Sequence, residues 1–546
     1  MSYSFSGILL GCAMLFAIEA KAQKKADKKI IRQLREDVSF LASDELEGRR
    51  TATTGEQKAA FFLEDRYRKV GIGSYKGNYR HPFKFIYGKE IAPPSQIRIG
   101  TSIIDMPAAG FPLPFSANTS TPIESNVLPD VPEQGGVWLL SLYTDPEDAG
   151  NPHFDYEKAM YDRAKEAKGQ GASAVVFYDA AGAKYPPRFN AHSELEQLDI
   201  PVLFLSNGIY QKFIEHTEEG VALELNVHIR KSEFTGTNVA AYIDNEAPYT
   251  VVLGAHYDHL GFGEDGNSLF ASKEKAIHNG ADDNASGTAG LLQLASWIRK
   301  KKLRNYNYLF VHFSGEELGL LGSKAIVKEY GLDSNRIAYM LNMDMIGRLN
   351  DSTRALTVGG VGTSPAWGPF VSKKHKELRF VIDSTGVGPS DHTSFYHAGI
   401  PVLFFFTGLH HDYHKPSDDA EKVNYAGELT VLKYIYSITE VMDTRLKPKF
   451  TPTKQNAVGK VRFKVTLGIM PDYSFQDGGV RVDGVSEDKP AQKAGIRAGD
   501  IITRMGDHKI QSMQSYMEAL SHFKSGQTID VTVNRNGQPL VIKLTF

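Results

Sequence analysis

Five short segments of this 546-residue chain carry imidazoles and carboxylates in closely similar settings. They are Gly254-Ala255-His256-Tyr257-Asp258-His259, Asn279-Gly280-Ala281-Asp282-Asp283-Asn284-Ala285-Ser286-Gly287, Ser314-Gly315-Glu316-Glu317, Asn342-Met343-Asp344 and His410-His411-Asp412-Tyr413-His414. One His or Asp at a strand end is most often a cap or a satisfied polar group, and a lone His-x-Asp says little. Five such segments in order are hard to obtain by chance. Imidazole nitrogens and carboxylate oxygens bind zinc at about 2.0–2.2 Å, and a carboxylate also bridges two metals or moves a proton. The single cysteine, Cys12, lies in an apolar leader, so thiolate ligands are excluded and a metal must sit on His, Asp and Glu.

Four apolar runs position these segments: Thr250 to Gly254, Tyr308 to Phe313, Ala338 to Asn342 and Pro401 to Phe406. Between them the spacing predicts a helix after Ser286, through Leu291 to Ile298, and another after Leu318 towards Tyr330. Strands alternating with helices predict an α/β fold with a mostly parallel mixed sheet flanked by helices. Ligands bind beyond the carboxyl ends of such strands, so all five segments converge on one edge. Amphipathic spacing predicts two earlier helices, over 26–42 and 56–70, with a loop from Asp44 to Arg49 between them.

Length predicts about three domains. Hydrophobic residues make up 41% and charged residues 23%, which suits a globular protein with a large core. The 62 basic and 64 acidic side chains leave a net charge of −2, which steers the chain to neither nucleic acid nor anionic membrane. The apolar Ile8 to Ile18 followed by Ala20-Lys21-Ala22 reads as a signal peptide over 1–22, cleaved near Ala22. The mature chain is then secreted or periplasmic, with no transmembrane helix, since the run is too short to span a bilayer. Leu9-Leu10-Gly11-Cys12 also resembles a lipoprotein box, but cleavage there would leave Ala13 to Ile18 exposed.

The five ordered segments resemble those of the co-catalytic zinc aminopeptidases and glutamate carboxypeptidases of family M28. The resemblance covers 23–90 and 236–445 and implies a zinc exopeptidase-like fold. Residues 91–235 resemble a β-rich protease-associated insert, on Gly169-Gln170-Gly171-Ala172-Ser173-Ala174-Val175-Val176 and Ile200-Pro201-Val202. A polar linker over 446–460 leads to 461–546, which resemble a PDZ domain on Leu467-Gly468-Ile469-Met470, Val485, Pro490-Ala491, Ala494-Gly495-Ile496 and Gly499-Asp500-Ile501-Ile502. A PDZ domain implies a C-terminal peptide ligand.

Carried over residue by residue, the M28 resemblance implies two zinc ions per chain. His256 and His414 match the histidine ligands, Asp282 the bridging carboxylate, Glu317 and Asp344 the carboxylates on either zinc, and Glu316 the general base. Asp258 matches the carboxylate that orients the first histidine. The resemblance also implies a cis peptide between Asp282 and Asp283. Three carboxylates against four positive charges leave a small surplus that lowers the pKa of a bridging water. His259, His278, His392, His397, His410 and His411 have no ligand role in the family pattern. Some relatives place an oxyanion-binding tyrosine where this chain has Val387, so that donor is zinc or another group. The implied activity is hydrolysis of peptide substrates, foremost as an aminopeptidase. A carboxypeptidase or dipeptidase, a glutaminyl cyclase and a non-catalytic peptide-binding protein share the scaffold.

Overall fold

The computed structural model describes residues 24–453 and 465–546, less 151–153, 185, 194, 271, 273, 372–373, 472–477, 486–488, 512–514, 517–518, 521 and 525. The leader over 1–22, Cys12 within it, and residues 454–460 of the linker lie outside the described residues. The chain divides into two compact units, Lys84–Phe234 and the remainder.

In the larger unit, residues 24–41 form helix α1 and Thr54–Lys69 form α2. Thr53 caps α2 by accepting the Glu56 amide, and Ala59, Ala60, Leu63 and Tyr67 recur at helical spacing on its buried face. The Asp44–Arg49 segment is a 3-10 turn with Gly48 in the left-handed region at φ 68°. A Cβ on Gly48 would stand 2.6 Å from the carbonyl oxygens of Gly261 and His278, so this strip can approach the site loops only as glycine.

A nine-stranded sheet forms the centre. Its strands are β1 (Gly73–Ser74), β2 (Arg80–Ile91), β3 (Ile229–Ile243), β4 (Thr250–His256), β5 (Asn307–Phe313), β6 (Ile337–Met343), β7 (Ala355–Gly359), β8 (Arg379–Ile382) and β9 (Val402–Phe406). The order is β1-β3-β5-β4-β6-β9-β7-β8, with β2 paired to β3. β4 lies between parallel β5 and β6, and β9 runs parallel to β6. These four strands are the predicted apolar runs, each a residue or two longer at one end or the other, except that β9 starts one residue later. They are apolar throughout because both faces are covered. Val251, Leu253 and Ala255 pack with Leu291, Leu294 and Ile298 of α3 (Gly287–Lys301). Val252 packs on the other face with Ile326 of α4 (Leu321–Lys328) and Phe395 of α5 (His392–His397). The long α6 (Tyr425–Asp443) completes the first layer through Leu432, Ile435 and Ile438.

The Lys84–Phe234 unit holds two four-stranded sheets. One is antiparallel and built on Val221–Asn226; in the other, Val137–Ser141, Ala174–Tyr178 and Val202–Leu205 run parallel beside the helix Tyr156–Gly169. The C-terminal residues form a six-stranded sheet with its own core, including Leu467, Val482, Ile502, Val531 and Leu544. Among the described residues, no helix is long and apolar enough to cross a membrane.

Candidate metal centre

Each ionisable residue of interest sits where regular structure has just ended. His256 is the last residue of β4, held in the sheet opposite Phe313. Beyond β5, Gly315 turns at φ 66° and delivers Glu316 and Glu317. Asp344 follows β6 directly, and His414 lies within the loop after β9. The segment Ala281–Ser286 makes an irregular turn before α3.

His256 Nε2 stands 3.2 Å from Asp344 Oδ1 and 3.4 Å from Asp283 Oδ1. His414 Nε2 stands 3.3 Å from both Asp283 Oδ2 and Glu317 Oε2. The two oxygens of Asp283 thus face two different histidines. Two donors on one tetrahedral zinc, each about 2.0–2.1 Å from the ion, are about 3.3 Å apart. All four contacts have that length, so the donor set fits two metals sharing the Asp283 carboxylate.

The expected bridge, Asp282, is therefore corrected by one position. Its Oδ1 accepts the Gly347 amide at 2.6 Å and the Ser286 hydroxyl at 3.0 Å, while Oδ2 lies 3.2 Å from His410 Nε2. Those contacts turn it away from His256 and His414. The cis peptide is likewise one residue later, at Asp283–Asn284. The structure brings the other expected metal residues, His256, Glu317, Asp344 and His414, together. It adds His259, whose buried Nδ1 is 2.9 Å from Glu317 Oε1. The sequence did carry a signal for it: His259 is three residues from His256, in the same strand-end segment. Elsewhere, His278 bonds Ser268 Oγ at 2.7 Å, His392 stacks on Phe404 at 4.5 Å, and His397 and His411 are exposed.

A surrounding layer fixes these donors. Asp418 Oδ2 accepts the amides of Asp282 and Asp283 at 2.9 and 3.0 Å, tying the bridging turn to the His414 loop. Asn284 spans the turn and the end of β6, donating to Met343 O at 2.9 Å and accepting from Gly287 and Met345. Asp258 accepts from Thr51 Oγ1 at 2.9 Å and from the Glu316 amide at 3.2 Å. Its carbonyl oxygen is 3.2 Å from His256 Nδ1 and its carboxylate 3.7 Å, so the backbone does most to orient that ring. The fully buried Arg49 donates to Tyr257 O at 2.8 Å, Asn279 O at 2.7 Å and Gly280 O at 3.0 Å, and also to Leu41 O.

Residues 238–439 match the profile of Peptidase family M28, and residues 461–545 match that of the PDZ domain. The chain carries an M28 peptidase domain. Among curated relatives, Aminopeptidase YwaD of Bacillus subtilis is 26% identical over 303 residues, 53% of this chain and 61% of its own length. A probable leucine aminopeptidase of Arthroderma otae is 33% identical over 182 residues, 32% of this chain and 47% of its own. The chain spans about half the length of the curated relatives it matches. Among solved structures, a zinc aminopeptidase from Bacillus subtilis aligns over 78% of this chain and 96% of its own at 20% identity, with a TM-score of 0.42.

Within the M28 domain, the adjacent glutamates are electrostatically opposite. Burial works against ionisation of Glu317, but His414 and His259 prevail and hold it down at about 2. Burial lifts Glu316 well above the usual carboxylate range; His256 opposes this, while Asp344, Glu317 and Asp391 add to it. Tyr413 stacks on His414 with ring centroids 3.9 Å apart. Burial and the carboxylates Asp283, Glu317, Glu316 and Asp344 raise its hydroxyl well above 10, so it is a proton-bearing donor beside the centre.

Proposed function

We propose that the M28 domain is a two-zinc aminopeptidase. The observation that carries the reading is the Asp283 carboxylate, with one oxygen 3.4 Å from His256 and the other 3.3 Å from His414. His256, Asp283 and Asp344 would hold one zinc, and Asp283, Glu317 and His414 the other. When bound, two zinc ions supply a water of lowered pKa and polarise the scissile carbonyl. Glu316 is the general base. It takes a proton from the attacking water and delivers it to the leaving amine as the C–N bond breaks, so that a carboxylic acid and an amine result. Its raised affinity for protons suits it to both steps. Tyr413 donates its hydroxyl proton towards the carbonyl oxygen as negative charge develops there. Action at the amino end rests on the printed activities of the relatives, all aminopeptidases in name among those cited.

We assign the Lys84–Phe234 unit as a protease-associated insert, and the PDZ domain as a binder of C-terminal peptide segments. Secretion or periplasmic export follows from the leader pattern ending at Ala22.

The test is turnover of free aminoacyl anilides against peptides blocked at either end, with Glu316→Gln as the control. Cleavage of substrates with a free amino end alone is the expected result. Glu316→Gln should keep both metals and lose about 10²–10⁴-fold in kcat. Near-normal turnover in that variant would remove Glu316 from the mechanism.

A further inference from the structure

We propose that His259 is a positioning residue of the metal centre, a hydrogen-bond donor that fixes how Glu317 presents its carboxylate; the proposal rests on the two-metal reading. The two oxygens of Glu317 are divided between two imidazoles. Oε1 is 2.9 Å from His259 Nδ1, and Oε2 is 3.3 Å from His414 Nε2. An ionised carboxylate only accepts, so His259 Nδ1 carries the proton of that contact. A protonated nitrogen is not a metal donor. It occupies Oε1 and leaves Oε2 for the ion shared with His414. Without that contact the carboxylate is free to rotate or to chelate through both oxygens.

The ring is locked for this purpose. A Cβ on Gly280 would fall 2.5 Å from both Cγ and Cδ2 of His259, so the imidazole lies flush on that glycine. The Gly280 and Asn279 carbonyls are in turn held by the Arg49 guanidinium, and the His259 amide donates to Arg49 O at 3.4 Å. The buried contact is therefore set by the Gly280 backbone against the ring and by the bond that holds the His259 main chain to Arg49. His259, Asp283 and Glu317 also present one donor atom each within 4.8 Å of one another, which makes direct ligation the rival role.

Three variants separate the roles, read by zinc affinity in chelator competition, zinc content, and thermal unfolding of the metal-stripped protein. Asn places an amide N–H near the position of Nδ1, Gln places it near Nε2, and Ala removes it. Loss of an outer hydrogen bond to a ligand typically costs about 10–100-fold in metal affinity. His259→Ala and His259→Gln should show that loss for one of the two zincs. His259→Asn should stay within about threefold of the parent protein. Metal-stripped melting points should agree across the parent and the Asn and Gln variants. If Asn binds zinc as poorly as Gln, His259 is a ligand and the proposal falls. Parent-like affinity in Ala and Gln would overturn it equally. Should the Ala variant fail to fold, the Asn and Gln pair decides alone. Fewer than two zincs in the parent protein would instead overturn the two-metal reading.

Discussion

Asp283 and Asp282 are neighbours in sequence with different work to do. Asp283→Ala should lose both zincs, since each of its oxygens serves one of them. Asp282→Ala should keep two zincs and lose stability, about 1–3 kcal/mol for leaving the buried Gly347 and Ser286 donors unpaired. Elemental analysis beside urea unfolding checks both, and the reverse pattern would restore the sequence assignment. That assignment failed for a physical reason. Both residues are acidic and both lie in Ala-Asp-Asp-Asn before a helix. Which one turns inward depends on Asn284 and Asp418 holding the turn, and no spacing rule conveys that. His259 was missed for a similar cause, because three residues beyond a strand end carries no fixed direction. A further residue-scale consequence concerns pH. Burial pushes His312 down to about 3, with Tyr67 OH 2.8 Å from its Nε2. Between pH 6.5 and about 3 the unfolded chain takes up a proton that the folded chain excludes. Stability therefore falls as pH drops through that window, by up to about 1.4 kcal/mol per pH unit for this group. In metal-stripped protein, His312→Gln should flatten the dependence between pH 7 and pH 5 by about that amount. Urea midpoints at the two pH values measure it, and an unchanged slope would mean that His312 accepts the proton while folded.

At the scale of elements, the four central strands β4, β5, β6 and β9 were legible because buried parallel strands are written as unbroken apolar runs, whereas β3, β7 and β8 were not read. Helix α2 was legible from its 3.6-residue period, within two residues at the start. The turn from Asp44 to Arg49 was legible only as a break. Nothing in its composition shows that Arg49 goes fully inside, since an arginine is read as a surface residue unless its partners are known. Here the partners are backbone carbonyls from the end of α1, from the loop after β4 and from the loop before the Ala281–Ser286 turn. The centre of the sheet also tolerates little change in volume. A Cβ on Gly254 in β4 would stand 2.4 Å from Phe313 Cε2 and 2.9 Å from Met340 Cε. Gly254→Ala should cost about 1–3 kcal/mol through overpacking. Because His256 is two residues on in the same strand, it should also lower zinc affinity. Thermal unfolding with and without zinc reads both effects, and a variant as stable as the parent would show that the Phe313 ring can give way.

At the scale of the whole chain, the C-terminal domain supplies none of the residues of the metal centre and has a hydrophobic core of its own. A chain ending at residue 453 should therefore bind two zincs and hydrolyse small aminoacyl substrates within a fewfold of the full chain. Loss of zinc or of small-substrate turnover in that truncation would show that the PDZ domain supports the centre. The sequence reading placed 23–90 with 236–445 in one unit, from shifts in texture, Pro-rich stretches and glycine patterns, and the compact unit around the metal centre includes residues from both stretches.

Arg49 and Thr51 come from a stretch nearly two hundred residues upstream of the 238–439 region by which the family is recognised. Thr51 bonds Asp258 and receives the Gly315 amide at 3.1 Å; Arg49 ties the Tyr257 loop to the Asn279–Gly280 stretch that leads into the bridging turn. A fragment cut at the recognised borders would retain every metal donor and lose the struts that hold the donors apart. On the function proposed above, the smallest working piece of this chain is accordingly discontinuous, and an expression strategy that starts at residue 238 would yield every metal donor without the residues that brace them.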